Sequence, residues 1–296
     1  MSQGLVAPAS SANVEVRLPL AGDEAERALK AQRLQSLLES YGSVIVAYSG
    51  GVDSAYLALA ATRALGLNAL CITADSPSYP DHHRQMARTI AQEAGLRHEF
   101  VTTGELEQPA YRANPTNRCY HCKHELYSTL TAVAVERGIP VIVDGNNADD
   151  RGDYRPGRVA ASEFGVRSPL DEVGLTKAEI RALSREAGLS TWDEPASACL
   201  SSRIPYFSEV TAEKLQMIEQ AEAALRALGF RICRVRHHDT LARLELGPAE
   251  LARAMEPEVR ERIVRELRAL GYRHVTIDLQ GYRTGSLNEG IVLRSV

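Results

Sequence analysis

Ser49-Gly50-Gly51-Val52-Asp53-Ser54 is the stretch on which the reading of this chain turns. The apolar run Val44-Ile45-Val46-Ala47 precedes it and reads as a buried parallel strand, and the alanine- and leucine-rich residues 55–65 after it read as a helix. Neither glycine carries a Cβ, so phosphate oxygens can approach the turn's N–H groups and those of the helix N-terminus, which have no partner within the helix. The Walker pattern ends in Gly-Lys-Ser or Gly-Lys-Thr, whereas here Asp53 stands where a cation is expected. A helix N-terminus stabilises an anion by roughly 0.3–1 kcal/mol, while two like charges about 4 Å apart repel by about 4 kcal/mol at an effective dielectric near 20. A carboxylate beside a polyphosphate therefore needs a bridging cation, and Mg2+ with oxygen ligands is the ordinary choice. The competing reading is a tight turn in which Asp53 only caps the helix.

The whole six-residue string is more specific than its glycines. It resembles the PP-loop of the ATP pyrophosphatases, which adenylylate a substrate oxygen and release pyrophosphate. The resemblance implies ATP, Mg2+ and an AMP-activated intermediate, with Ser49, Gly50, Gly51, Asp53 and Ser54 at the nucleotide and Asp53 on the metal.

Composition narrows the class. A chain of 296 residues can bury a large core and has room for two domains. With 34 basic against 38 acidic residues the net charge is −4, which gives no general attraction to nucleic acid or to an anionic membrane. No apolar run is long enough to span a membrane and the N-terminus does not read as a signal peptide, so a cytoplasmic address is expected. Five cysteines, an odd number, argue against a disulfide framework and for metal, redox or catalytic use of some of them.

Outward from the loop, strands and helices alternate. Residues 23–41 have helical spacing; 68–73 read as a strand ending at Asp75, 80–95 as a helix, 98–102 and 141–143 as further strands. The pattern predicts an α/β fold with a doubly wound parallel sheet, whose ligands collect at the carboxyl ends of the strands. Asp75 and Gly145, each just after a strand, are therefore candidate nucleotide contacts. A long polar connection after Thr102 ends in Arg118-Cys119-Tyr120-His121-Cys122-Lys123, and Arg155-Pro156-Gly157-Arg158 adds a basic turn. Thr176 and Glu179 form a capping box whose Lys177 is able to reach a phosphate, although a lone lysine at a helix start is usually just solvated. Residues 192–206, with two prolines and three serines, read as a loop without regular structure that sets Cys199 beside Arg203, where a lowered thiol pKa is plausible. From residue 208 the pattern becomes helix, short hairpin, a helical stretch over 249–270 and a last strand over 274–279. The expected organisation is a mobile tail over 1–22, a PP-loop domain over 23–206 and a smaller α+β domain over 207–296. On the first hairpin strand Arg234 and Arg236 share one face. They suit either a substrate phosphate or a solvated strand surface.

Cys119 and Cys122 form one Cys-x-x-Cys, with Cys199 far along the chain. The pair alone fits a dithiol, half a zinc site with His121 or His124 completing it, or part of an iron–sulfur site. Cys71 and Cys233 lie on strands and read as packing residues. The PP-loop, Arg118-Cys119-Tyr120-His121-Cys122-Lys123, Ala198-Cys199-Leu200-Ser201-Ser202-Arg203-Ile204-Pro205-Tyr206 and Gly281-Tyr282-Arg283-Thr284-Gly285-Ser286-Leu287-Asn288-Glu289 together resemble the LarE family. These are ATP-dependent sulfur transferases of nickel-pincer nucleotide synthesis.

The resemblance implies adenylylation of a carboxylate of pyridinium-3,5-biscarboxylic acid mononucleotide and its conversion to a thiocarboxylate, with Cys199 at the sulfur-bearing position. It also implies a phosphate-bearing substrate for Arg234, Arg236, Glu245 and Arg203. Because Cys119 and Cys122 accompany Cys199, as in members that resemble [4Fe–4S] proteins, the favoured sulfur source is a sulfide on a cluster held by these three cysteines. The nearer alternative is sacrifice of the Cys199 sulfur. A tRNA thiolation enzyme, an amide-forming synthetase of the NAD or GMP type, and a non-catalytic zinc- or nucleotide-binding regulator are the rival readings. The expected partners are a small-molecule nucleotide substrate and further copies of this chain, without membrane or nucleic acid.

Overall fold

The computed structural model describes residues 21–152, 156–195 and 198–283. The strands are β1 (Val44–Ala47), β2 (Ala69–Asp75), β3 (His98–Thr102), β4 (Val141–Val143), β5 (Cys233–His238), β6 (Leu241–Leu246) and β7 (His274–Ile277). The main helices are α1 (Ala21–Tyr41), α2 (Val52–Leu65), α3 (Asp81–Glu93), α4 (Arg118–Arg137), α5 (Pro156–Glu163), α6 (Lys177–Glu186), α7 (Ala212–Ala227) and α8 (Pro257–Ala269). The first four strands form a parallel sheet in the order β3-β2-β1-β4, with Val44 opposite Ala69 and Val141. Successive side chains point to opposite faces, so Val44 and Val46 pack with Leu34 and Leu38 of α1, Leu57 of α2, Ile90 of α3 and Ile180 of α6. Ile45, Leu70 and Ile72 pack on the other face against Tyr127 and Leu130 of α4 and Ala160 of α5. Each such leucine or isoleucine contributes about 1.5–3 kcal/mol by leaving water. The sheet is thus doubly wound as the sequence pattern predicts. Chain order reverses at β1, and the crevice of such a sheet opens past the carboxyl ends of its strands.

The second sheet has the order β5-β6-β7, with β5 antiparallel and β7 parallel to β6. Its core combines Cys233, Val235, Leu244 and Leu246 with Leu225 of α7 and Leu267 of α8. The two parts are not cleanly divided at Tyr206. Tyr111, Leu200 and Ile204 form one apolar cluster with Val210, Leu215 and Ile218, and the Asn114 side chain is among those that bond across the junction. Buried Asn114, itself at φ 53, donates from Nδ2 to the carbonyls of Pro205 at 2.7 Å and Ser208 at 3.0 Å. Its own carbonyl accepts from the N–H of Phe207 at 2.9 Å. Phe207 is held in the left-handed region at φ 67 and is 77% exposed.

Three local expectations give way. Cys119 and Cys122 stand on the first turns of α4, not in a loop, because nothing from Arg118 to Arg137 breaks a helix before Gly138. The connection before them also holds a 3-10 turn over Glu105–Glu107 and a short helix over Pro109–Arg112. The 192–206 segment contains a 3-10 turn, Leu200–Arg203, since Pro195 and Pro205 flank that turn without entering it. The 249–270 helix is split into Leu251–Ala254 and α8; Pro257 lacks an N–H and so begins a helix. Most of the 1–22 tail, Arg155 of the basic turn and residues 284–289 of the terminal motif lie outside the described residues. Among the described residues no helix is long and apolar enough to cross a membrane.

Candidate functional site

β1 delivers the loop to the crevice. Gly50 sits at φ 69, and a Cβ there would come within 3.0 Å of the Ala87 backbone on α3. Gly51 is the N-cap of α2 and has no side-chain cap bond, so the first N–H groups of α2 are not taken by a capping side chain. Ser54 Oγ donates to Gly51 O at 3.0 Å and accepts from the Ser49 N–H at 3.2 Å, closing the loop on itself. Gly145, after β4, leans on this turn so closely that a Cβ would lie 3.0 Å from the Ser54 nitrogen.

Asp53 faces a partner that sequence reasoning undervalued. Lys177 Nζ, at the start of α6 and 124 positions away, donates to Asp53 Oδ2 at 2.6 Å. The capping box is present: Glu179 N–H donates to Thr176 Oγ1, Thr176 N–H donates to Glu179 Oε2 at 2.8 Å, and Lys30 of α1 binds Glu179 from outside. The Lys177 N–H also donates to Asp149 at 2.8 Å, locking the helix start beside the loop after β4. Burial pushes the Asp53 carboxyl up, and Lys177 offsets only part of that shift. Asp53 Oδ1 is buried without a hydrogen-bond partner among the described residues. An orphaned carboxylate oxygen beside a phosphate-type loop fits an oxygen-seeking divalent cation. Asp75 ends β2 at the same crevice, where Arg84 donates to its Oδ1 from Nε at 3.0 Å and from Nη2 at 2.7 Å.

The three candidate cysteines lie on segments brought near one another at the junction. Leu200 N–H donates to Ser78 O at 2.9 Å, just past β2, and Tyr111 OH bridges Ser78 Oγ at 2.8 Å and Ser201 Oγ at 2.6 Å. Buried Glu105 accepts from Ser78 and Thr103, each at 2.9 Å, and anchors this network from below. Cys199 is thereby held toward α4. Cys119 is exposed, Cys122 and Cys199 partly so, and each lies within electrostatic reach of the other two. Burial raises the Cys122 thiol well above its ordinary range, and Glu105 and Cys199 add to the rise. Among the described residues no three His, Cys, Asp or Glu side chains converge as they would on one metal ion. Three cysteine sulfurs are the soft donor type that holds iron–sulfur clusters. Cys71 and Cys233 are core residues, each pushed by burial up to about 12.

The arginines divide. Arg203 is 1% exposed; it donates to Glu222 from Nε at 2.8 Å and Nη2 at 3.0 Å, and from Nη1 to the carbonyls of Ala198 and Cys199. Burial alone would raise Glu222, but the Arg203 charge overrules it and brings the carboxyl down to about 2. Arg236 is likewise matched to Glu245 at 2.9 and 2.7 Å and donates to Ser202 O. Arg234, on the same face as Arg236, opens on a narrow cavity with Arg203, Arg226, Arg231, His82 and His83, against Glu194 and Glu222. Sequence reasoning missed this gathering because it draws on α3, α7 and β5 at once.

A parallel sheet with this glycine turn at its switch point, an aspartate in the first helical turn and a lysine brought to it defines the class: a PP-loop protein of the α/β kind. No family model matches the chain. The pyridinium-3,5-bisthiocarboxylic acid mononucleotide synthase of Lactiplantibacillus plantarum is 36% identical over 263 residues, 88% of this chain and 95% of that enzyme. An uncharacterized protein of Synechocystis is 45% identical over 259 residues, 86% of this chain and 97% of its own length. A glutamine-hydrolyzing GMP synthase component of Methanopyrus kandleri is 26% identical over 209 residues, 60% of this chain and 61% of that component. The chain belongs to the LarE family, that of the Lactiplantibacillus synthase, and is an ATP-dependent enzyme of the PP-loop class.

Proposed function

We propose that this enzyme uses ATP to adenylylate a carboxylate of pyridinium-3,5-biscarboxylic acid mononucleotide and replaces the activated oxygen with sulfur, in the cytoplasm and as a homo-oligomer. The observation that carries the reading is the pairing of Asp53 with Lys177 beside the glycine turn, with Cys119, Cys122 and Cys199 within electrostatic reach of one another. In the first step the carboxylate oxygen bonds to the α-phosphorus as the bond to pyrophosphate breaks. The N–H groups at the start of α2 donate to the triphosphate, and Lys177 supplies charge to the departing pyrophosphate. Asp53 would hold Mg2+, which neutralises the phosphate oxygens. In the second step a C–S bond forms as the C–O bond to AMP breaks, AMP being a good leaving group. Cys119, Cys122 and Cys199 would hold a [4Fe–4S] cluster that leaves one iron without a protein ligand and supplies an external sulfide. Arg234 and its cavity take the substrate phosphate; Arg236, Glu245 and Arg203 fix the strand and loop around it.

The test is anaerobic reconstitution of the protein with iron and sulfide, reading iron content and visible absorption beside a Cys119→Ala variant. About four irons per chain, lost in the variant, is the expected result. Colourless protein with stoichiometric zinc would favour the regulator reading. Colourless protein without metal that still completes one sulfur transfer would assign the sulfur to Cys199 itself.

A further inference from the structure

Tyr79 takes no part in the steps above, yet its hydroxyl ends on the glycine turn. It lies between β2 and α3, and its one hydroxyl proton is shared between Ser49 O at 3.0 Å and His83 O at 3.1 Å. His83 stands in the first turn of α3, one turn before Ala87, the residue against which Gly50 packs too closely to carry a Cβ. Tyr48, just ahead of the turn, donates from its own hydroxyl to Ala87 O at 3.1 Å. Two tyrosines therefore pin the glycine turn to α3.

The Tyr79 bond fixes a direction as well as a distance. A trans peptide is planar and its N–H points opposite to its C=O, so holding Ser49 O toward Tyr79 turns the Gly50 N–H the other way. That N–H has no hydrogen-bond partner among the described residues. Turning the Ser49–Gly50 peptide over would carry the Gly50 φ from 69 to about −110°, and glycine takes both values without a steric penalty. The residue that lets phosphate approach the backbone thus leaves its own donor able to turn over, and in the turned form a carbonyl oxygen stands in its place. The Tyr79 hydroxyl selects one of the two.

We propose that Tyr79 is a positioning residue for the triphosphate, locking the Ser49–Gly50 peptide so that the Gly50 N–H, and not the Ser49 carbonyl, faces the phosphate oxygens. The proposal rests on the reading that the glycine turn holds the triphosphate, and it is independent of the second substrate and of the sulfur source.

The test is equilibrium binding to full-length wild type and Tyr79→Phe, with inorganic pyrophosphate, ATP with Mg2+, and adenosine as the probes. Removing one oxygen leaves the ring beside His83, and the urea midpoint checks that the variant is folded. The expected result is that pyrophosphate and ATP each bind roughly three- to tenfold more weakly to Tyr79→Phe, the worth of one hydrogen bond, while adenosine stays within about twofold. Equal weakening of all three probes overturns the proposal, because the hydroxyl then only supports the fold around the nucleotide, and unchanged binding overturns it as well. In wild type alone, pyrophosphate should slow hydrogen exchange of the Gly50 amide; an amide that is not slowed overturns the proposal whatever the variant does. Wild type that binds neither pyrophosphate nor ATP overturns the reading of the turn and the proposal together. Wild type that binds both but releases no pyrophosphate with the pyridinium mononucleotide refutes the proposed reaction alone, and the selective loss in Tyr79→Phe still supports the positioning role.

Discussion

Two ion pairs frame this enzyme, and their difference separates scaffold from site. Arg203–Glu222 is sealed: both side chains are 1% exposed, and the guanidinium spends its donors on Glu222 and on the carbonyls of Ala198 and Cys199. Asp53–Lys177 is unfinished. Its side chains are 23% and 33% exposed, and one Asp53 oxygen is buried with no hydrogen-bond partner among the described residues. A sealed pair resists any newcomer, since displacing one partner strands the other in a low-dielectric interior. An open pair with unused valence is poised to exchange its internal partner for a ligand. Strength of attraction is therefore a poor guide to function, and unspent bonding capacity a better one.

The largest test of that contrast is Arg203→Ala, which leaves buried Glu222 without its bidentate partner and with only Arg226 at 3.5 Å and the Val235 N–H at 3.0 Å. We expect a loss of about 3–5 kcal/mol, read as a lower urea midpoint. Little change would mean that water reaches Glu222 and that the pair is not sealed. Asp53→Asn should instead spare the urea midpoint and slow pyrophosphate release by about 10²–10³-fold, the cost of losing one preorganised charge at a reacting centre. Retained release would remove Asp53 from the chemistry.

pH provides a third test. The folded Glu222 value of about 2 lies below the 4.5 of an unperturbed glutamate, so its contribution to stability is present above that ordinary value. It is lost as pH falls from there through about 2, because the unfolded chain takes up the proton first. Urea midpoints at pH 6, 4 and 3 should drop less steeply in Glu222→Gln than in wild type, and parallel curves would contradict the depressed carboxyl. Thr176→Ala removes the cap beneath Lys177 and should cost about 1 kcal/mol by the same measurement, with a matching loss in pyrophosphate release only if the cap aims the lysine. Phe207→Gly should have the smallest effect and the opposite sign, a gain of up to about 1 kcal/mol from relief of the left-handed backbone.

Much of the fold was legible because it rests on local pattern. The apolar run at Val44 to Ala47, the glycine turn and the Thr176–Glu179 box each encode their element within a few residues, and the structure has all three. The site was legible in part. Residue type singled out Asp53, Cys119, Cys122 and Cys199, whereas pairing across more than a hundred residues is not encoded locally. Lys177 read as solvated because nothing near it in sequence announces Asp53, 124 positions away, and even the pairing of Arg203 with Glu222, 19 positions on, is set by how α7 packs and not by local pattern. Misreading 118–123 as loop had a different origin: Asn114, Pro115 and Asn117 mark a turn so strongly that the helix behind them was hidden.

Asn114 carries one more consequence. Its amide nitrogen donates to the carbonyl oxygens of Pro205 and Ser208 while its own carbonyl holds the Phe207 N–H, so one residue gauges the shape of the turn between the two halves. An aspartate there would replace a donor with an acceptor and set oxygen against oxygen. Ageing does not readily make that exchange, because Pro115 follows and offers no backbone N–H to attack the side-chain amide, so the sequence shields its own gauge from slow chemical decay.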